Sequence, residues 1–380
     1  VIYVGWLLHK VRGGIAAGVL FVLPSFFLML ALSWTYAAHA GVSWVAGVFA
    51  GLSAGVVGMI VNALIRIGTR ALSGAFSVGV AVASFVAVFV FGVAFPIVIV
   101  GAGVAGYIAL RIRPDAVRIP GELTDDGGAA INDVSASATH TLPSARRTLK
   151  VLAVGVTAWW LPLLTVILWR GTSDTLSREA LFFSSATLVT FGGAYAVLAY
   201  VNQAAVYRFG WLSPAGVASG LGLAESTPGP LIMVTEFVGF LAAYRFHGDL
   251  SPLVAGVLGA CVTVWATFAP CFLWIFLGAP YIERLRGDRR LGSALGAITA
   301  AVVGVIASLA LSFAITVLFS RVTLHRPFGA SLPVPTLSSV VWFSLVIAAV
   351  AFVTIRSRKV NPVFVVLGCG AAGLVRALIH

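Results

Sequence analysis

Across 380 residues the chain is 60% hydrophobic and only 9% charged, with a mean hydropathy of +1.06. Soluble domains carry about 25% charged residues, so this composition excludes a water-exposed enzyme or binding module and leaves an integral membrane protein. The formal charge of +12 is scattered through short loops between apolar runs, which argues against a nucleic-acid surface and for a role in topology.

Long apolar runs, rather than strands of alternating polarity, predict an all-α, polytopic fold with helical spans of about 20 residues. Eleven fit: 14–36, 43–65, 76–92, 95–111, 149–169, 182–207, 215–244, 252–278, 291–319, 337–355 and 361–379. The chain opens at Val1, without Met and inside an apolar stretch, which reads as an N-terminal truncation. One connection is long. Residues 112–148 hold Asp115, Glu122, Asp125, Asp126 and Asp133 among Gly, Ser and Thr, and read as a linker between a first half, 1–111, and a second, 149–380. Threading the spans alternately puts most of the 24 basic residues, Arg66, Arg111, Arg147 and Arg208 among them, on the side of the linker. That side is expected to be cytoplasmic.

The halves resemble each other. VLPSFFLMLALSW (22–34) is echoed by FAPCFLWIFLGAP (268–280), AGVVGMI (54–60) by AAVVGVI (300–306), and VIVGAGVAG (98–106) by VVLGCGAAG (365–373). The loop 37–42 has no Lys or Arg, whereas its counterpart 281–290 has four Arg. Equivalent loops on opposite sides predict inverted repeats, as in many secondary transporters.

Two predicted spans cannot be continuous helices. LVTFGGAYAVLAYVNQ (188–203) is interrupted at Gly192 and Gly193, and LGLAESTPGPLIMVTEF (221–237) at Pro228, Gly229 and Pro230. Half-helices starting after Gly193 and after Pro230 would aim free N–H groups and positive dipole ends at a site near the midplane, which suits an anion; the bland alternative is a pair of packing kinks. Only Glu225 and Glu236 fall inside predicted spans, the other acids, Glu179 included, being assigned to the linker or to loops. Burying a carboxylate there costs about 2.5–3.5 kcal/mol, so both are candidate proton carriers. Asn202, Gln203, Ser226 and Thr227 add neutral hydrogen-bonding groups, although Ser and Thr in membrane helices often bond their own backbone.

Other motifs fail on context. Gly101 to Gly106 and Gly368 to Gly373 read GxGxxG but lack a βαβ setting, so they are expected to pack helices, within the chain or in a homodimer. Gly51, Ser53 and Gly55 read GxSxG inside a span, without the turn that strains a nucleophilic serine. The scattered His and the lone Cys261, Cys271 and Cys369 point to no metal and no cofactor.

The run FGGAYAVLAYVNQAAVYRFGWLSPAGVASGLGLAESTPGPLIMVTEFVGFLAAY (191–244), with YVGWLLHKVRGGIAAGVLFVLPSFFLMLALSWTY (3–36), strongly resembles the chromate ion transporter family. FGG at 191–193, Trp211 to Pro214 and AESTPGP at 224–230 carry the likeness. The resemblance implies export of chromate from the bacterial cytoplasm across the inner membrane by two homologous halves. It also implies a first-half FGG and PGP, which would stand before Val1. The expected mechanism is alternating access, with the anion held by backbone N–H groups near Gly192, Gly193, Gly229 and Leu231 and protons moving inward through Glu225. Alternatives are a sulfate or general oxyanion permease, a membrane hydrolase built on Ser53, and a scaffold.

Overall fold

The computed structural model describes residues 1–39, 41–112, 144–189, 194–281, 289–325, 332–358 and 360–379. Nearly all of the predicted linker, and both Gly192 and Gly193, lie outside the described residues. Helices form wherever an apolar run must satisfy its own backbone N–H and C=O groups without water. The first half contributes α1 (Ile2–His39), α2 (Ser43–Ala71), α3 (Ala75–Phe89) and α4 (Phe95–Ile112). The second contributes α5 (Ala145–Arg170), α6 (Thr175–Leu188), α7 (Ala194–Asn202), α8 (Pro214–Ser226), α9 (Val234–Arg245), α10 (Pro252–Gly278), α11 (Arg289–Leu318), α12 (Trp342–Arg358) and α13 (Pro362–Ile379). Strands β1 (Val322–His325) and β2 (Leu332–Pro335) pair antiparallel between α11 and α12.

Among the described residues seven helices are long and apolar enough to cross a membrane, namely α1, α2, α4, α5, α10 with its short extension, α11 and α13. α3 and α12 are shorter apolar helices. Large apolar side chains such as Leu20, Phe27 and Leu168 point outward from the protein, as a lipid-facing surface requires. α1 begins well before the predicted 14–36 span and bends at His9 and Lys10, where Lys10 takes a positive φ of 55°.

The two halves pack across each other. α2 lies against α12 and α13, and α11 lies against α3 and α4. Gly58 faces Ala348 and Phe352, while Gly304 faces Ala81 and Phe85. Gly373 backs onto Gly47 and Gly51, while Gly106 backs onto Ser293 and Ala297. Gly58 and Gly304, Gly47 and Ser293, and Gly51 and Ala297 are each 246 positions apart. Ala81 and Ala348, Phe85 and Phe352, and Gly106 and Gly373 are each 267 apart. Contact for contact, one crossing is therefore the counterpart of the other. α1 runs antiparallel to α10, with Gly14 on Phe276 and Gly18 on Phe272. The terminal glycines of both GxGxxG motifs serve these helix crossings, and Ser293 Oγ seals one by donating to Gly106 O at 2.7 Å.

A side chain at Gly304 would meet the Ala81 carbonyl, whereas one at Gly101 meets nothing within 4 Å. Gly304→Val is accordingly expected to destabilise the protein by about 1–3 kcal/mol, and Gly101→Val to leave it unchanged. Thermal unfolding of the detergent-solubilised protein checks this; equal midpoints for the two variants would contradict the close crossing.

The predicted spans 182–207 and 215–244 are not single crossings. Each is a helical hairpin that returns to the end from which it started. In the first hairpin, α6 is followed by α7 and a π-helical turn, Gln203–Arg208, and the ring of Phe182 meets those of Tyr200 at 5.3 Å, Phe209 at 5.4 Å and Trp211 at 5.9 Å. In the second, α8 descends, the chain turns through a 3₁₀ segment at Leu231–Met233, and α9 climbs back with Phe237 against Gly220. Arg245 Nη1 donates to Trp211 O at 3.2 Å, which ties the two hairpin bases together. Each arm rises only about 1.5 Å per residue and is too short for a hydrocarbon core of about 30 Å.

Local chemistry sets these arms. Asp174 caps α6 by accepting from Leu176 N at 2.9 Å, and Ser213 caps α8 by accepting from Gly216 N at 3.1 Å, with Pro214 at the first helical position. At the same end Arg170 bridges Asp174 at 3.1 Å and Asp249 at 2.5 Å. The guanidinium holds the exposed Asp249 carboxyl below the usual carboxylate range, so the bridge is intact at neutral pH and opens only in acid.

Candidate functional site

The beginning of α7 meets the turn of the second hairpin. Tyr195, at the start of α7, donates its hydroxyl to Glu225 Oε1 at 2.5 Å, near the end of α8. The 3₁₀ turn Leu231–Met233, which opens at Pro230 and leads into α9, packs against α7, so its first N–H groups, without partners inside the turn, lie beside Tyr195. The helix start expected after Pro230 is the 3₁₀ turn at Leu231, while the one expected after Gly193 lies outside the described residues.

The turn between the arms of the second hairpin runs Thr227, Pro228, Gly229, Pro230. Its backbone is possible only because residue 229 is glycine: φ is +144°, and a Cβ there would lie 2.6 Å from both the Cβ and the Oγ of Ser25. Ser25, next to Pro24 on α1, is fully buried, and its Oγ has no partner among the described residues. The first half of the chain therefore contributes a free hydroxyl to the turn. It also contributes a cation. Arg66 of α2 is exposed, yet close enough to act electrostatically on both Tyr195 and Glu225.

The other predicted site residues divide. Ser226 and Thr227 donate to the carbonyls of Leu223 at 2.7 Å and Ala224 at 3.0 Å, the local back-bonding that competes with a ligand role. Leu231 opens the 3₁₀ turn at the tip. Asn202 and Gln203 stand at the far end of α7, away from the tips. Gln203 Nε2 donates to Gly92 O at 2.9 Å, and Asn202 is buried with its Oδ1 unpartnered. Glu236 is fully buried a turn beyond the tip, with both carboxylate oxygens unpartnered.

Glu179 corrects the sequence reading. It lies in α6 rather than in a loop, and it is fully buried with both oxygens unpartnered among the described residues. The predicted span began at 182, because the polar stretch 173–178 hides a helix start that the Asp174 cap marks. Tyr195, Ser25 and Arg66 were also missed. Tyr195 sits just after the FGG motif and could have been found there, but only tertiary packing brings Ser25 and Arg66 in. Ser53 Oγ lies 3.0 Å from Ser219 Oγ of α8, a bond between packed helices rather than a nucleophile's setting.

The arrangement offers an anion one helix start, a guanidinium and a hydroxyl, with a carboxyl alongside. A family model described as Chromate transporter matches residues 1–107 and 178–374. The Chromate transport protein of Pseudomonas aeruginosa is 30% identical over 366 residues, covering 95% of this chain and 74% of its own. That of Cupriavidus metallidurans is 27% identical over 375 residues, covering 98% of this chain and 78% of its own. The Probable chromate transport protein of Synechococcus elongatus is 28% identical over 305 residues, covering 80% and 67%. No solved structure matches the chain. With a helical, multi-pass membrane fold and a family match over most of its length, the chain belongs to the chromate transporter family, whose members are transport proteins and not enzymes.

Proposed function

We propose that this protein carries chromate out of the cytoplasm across the inner membrane by alternating access, with the dianion held where the beginning of α7 meets the turn of the second hairpin. The start of the 3₁₀ turn at Leu231, packed on α7 and close to Tyr195, Glu225 and Arg66, is the observation that supports this most directly. With the cell interior negative, outward movement of a dianion gains roughly 4.6 kcal/mol per 100 mV. Export therefore runs electrically downhill.

In this reading the halves are inverted repeats. The antiparallel packing of α1 on α10 and the paired crossings at Gly58 and Gly304 support that arrangement. Rocking of one half against the other would expose the tips alternately. Protons move inward through Glu225, whose carboxyl shares Tyr195 and the field of Arg66 with the anion.

Labelled chromate accumulation in everted membrane vesicles tests the function, with and without an imposed potential and with excess sulfate. Accumulation driven by the field and resistant to sulfate is expected. Sulfate flux without chromate flux would make the protein an oxyanion permease of a different selectivity. Glu225→Gln is expected to flatten the pH dependence of chromate flux, and an unchanged pH profile would remove Glu225 from the proton path.

A further inference from the structure

A second group of buried polar side chains stands apart from the hairpin tips. Glu179 Oε2 lies 3.0 Å from the place a Cβ on Gly259 would take, and that place is 2.6 Å from the carbonyl oxygen of Gly239. The carboxyl therefore hangs over the crossing of α9 and α10, where both helices lack a side chain. Thr263 aims its Oγ1 into the same crossing and would collide with a Cβ on Gly239. That hydroxyl is fully buried and has no partner among the described residues.

Positions 236, 239 and 243 share one face of α9, and 259, 263 and 267 share one face of α10. The two helices are joined by the short stretch 246–251 and pack antiparallel, with Ala243 on Gly259 and Gly239 on Thr263. Continuing the two faces by one turn sets Glu236 against Thr263 and Thr267. Thr267 Oγ1 is also buried and unpartnered. Two acids and two hydroxyls thus form one column, with no cation among them.

We infer that Glu179 and Glu236, with the Thr263 and Thr267 hydroxyls set along the same helix faces, form a proton-binding column that opens at the outer base of the hairpins and leads toward the second hairpin tip. An ionised carboxylate buried without a partner forfeits its hydration with nothing in return, so each acid rests neutral and ionises only in passing its proton on. A neutral acid is both donor and acceptor, as are the threonine hydroxyls, and this is the chemistry of a relay. The column's proton-coupling role rests on the coupling proposed above; its capacity to bind protons does not.

The surrounding titratable groups fit that direction. At the outer end of α6, Asp174 acts electrostatically on Glu179 and is itself held by Arg170, which also holds Asp249. His247, in the connection between α9 and α10, has a buried and unpartnered Nδ1. Tyr244 and Arg245 close α9 at the same end. From α10, Cys261 lies within electrostatic range of Glu236. From α1, Tyr36 packs on Phe237, and from α7 and α8, Tyr195 and Glu225 face the tip.

Infrared spectroscopy of the reconstituted full chain during a pH titration tests the site. The stretching band of protonated carboxylic acid is expected to lose a component in Glu179→Gln and another in Glu236→Gln. Thr263→Val keeps the volume and is expected to shift the band without removing it, which separates proton binding from misfolding. A band unchanged in both Gln variants would overturn the inference. Chromate-driven alkalinisation of the lumen of everted vesicles, followed with a trapped pH dye, is expected to be lost in Glu179→Gln. Wild-type vesicles that carry chromate but move no protons would overturn the coupling, while the band would still decide whether the column binds protons.

Discussion

Gly229→Ala is expected to abolish chromate transport while leaving the protein inserted in the membrane. A φ of +144° is open to glycine and strained for any residue with a Cβ, by about 1–3 kcal/mol. The new methyl would also lie 2.6 Å from Ser25, and relieving that overlap costs about 1–3 kcal/mol more. Neither term threatens the outer helices, whose packing lies elsewhere. Both fall on the turn that sets the second hairpin tip against α1 and beside Tyr195. Ser25→Gly in the same chain removes the collision but not the backbone strain, so the double variant should recover part of the thermal stability. Vesicle flux and the unfolding midpoint are the measurements, and wild-type flux in Gly229→Ala would show that the turn does not shape the site.

Arg66→Gln is expected to weaken the apparent affinity for chromate about tenfold or more, equivalent to about 1.4 kcal/mol per tenfold. The guanidinium is exposed, so salt screens its pull on the dianion. The wild-type affinity should therefore fall with rising ionic strength and that of Arg66→Gln should not. Arg66→Lys keeps the charge but not the planar fork, and should lie between the two. Equal affinities for wild type and Arg66→Gln at low salt would return Arg66 to a purely topological role.

The all-α membrane fold and the interruption at Pro228 to Pro230 were legible in the sequence, because hydropathy reports the surroundings of a segment and Pro-Gly-Pro breaks a helix whatever surrounds it. Hydropathy does not report direction. A hairpin arm that turns back and a span that continues across the membrane look alike until Trp211 is found against Arg245 and Phe182 against Phe209. The two hairpins occupy consecutive runs, so the two false crossings cancel in the charge count. Of the basic residues in the threading, only Arg208 changes side.

The site was legible in part for a similar reason. Local motifs marked the tip of the second hairpin, and Glu225 and Glu236 announced themselves as acids in apolar runs. Ser25 and Arg66 come from the first half, 204 and 159 positions from Gly229 and Glu225, and nothing in their own neighbourhoods indicates what they face. Glu179 was lost because a polar first turn lowers the hydropathy of a segment that packing then buries.

The cross-half packing also bears on how the chain is made. α2 presents its glycine face to α12 and α13, which leave the ribosome long after it, so during synthesis that face waits in the bilayer for partners not yet translated. A nascent chain halted before residue 342 would keep a naked glycine stripe and be a natural target for membrane proteases. Two fragments divided between 113 and 143 and produced together would each hold what the other lacks, and should assemble without a peptide bond to join them.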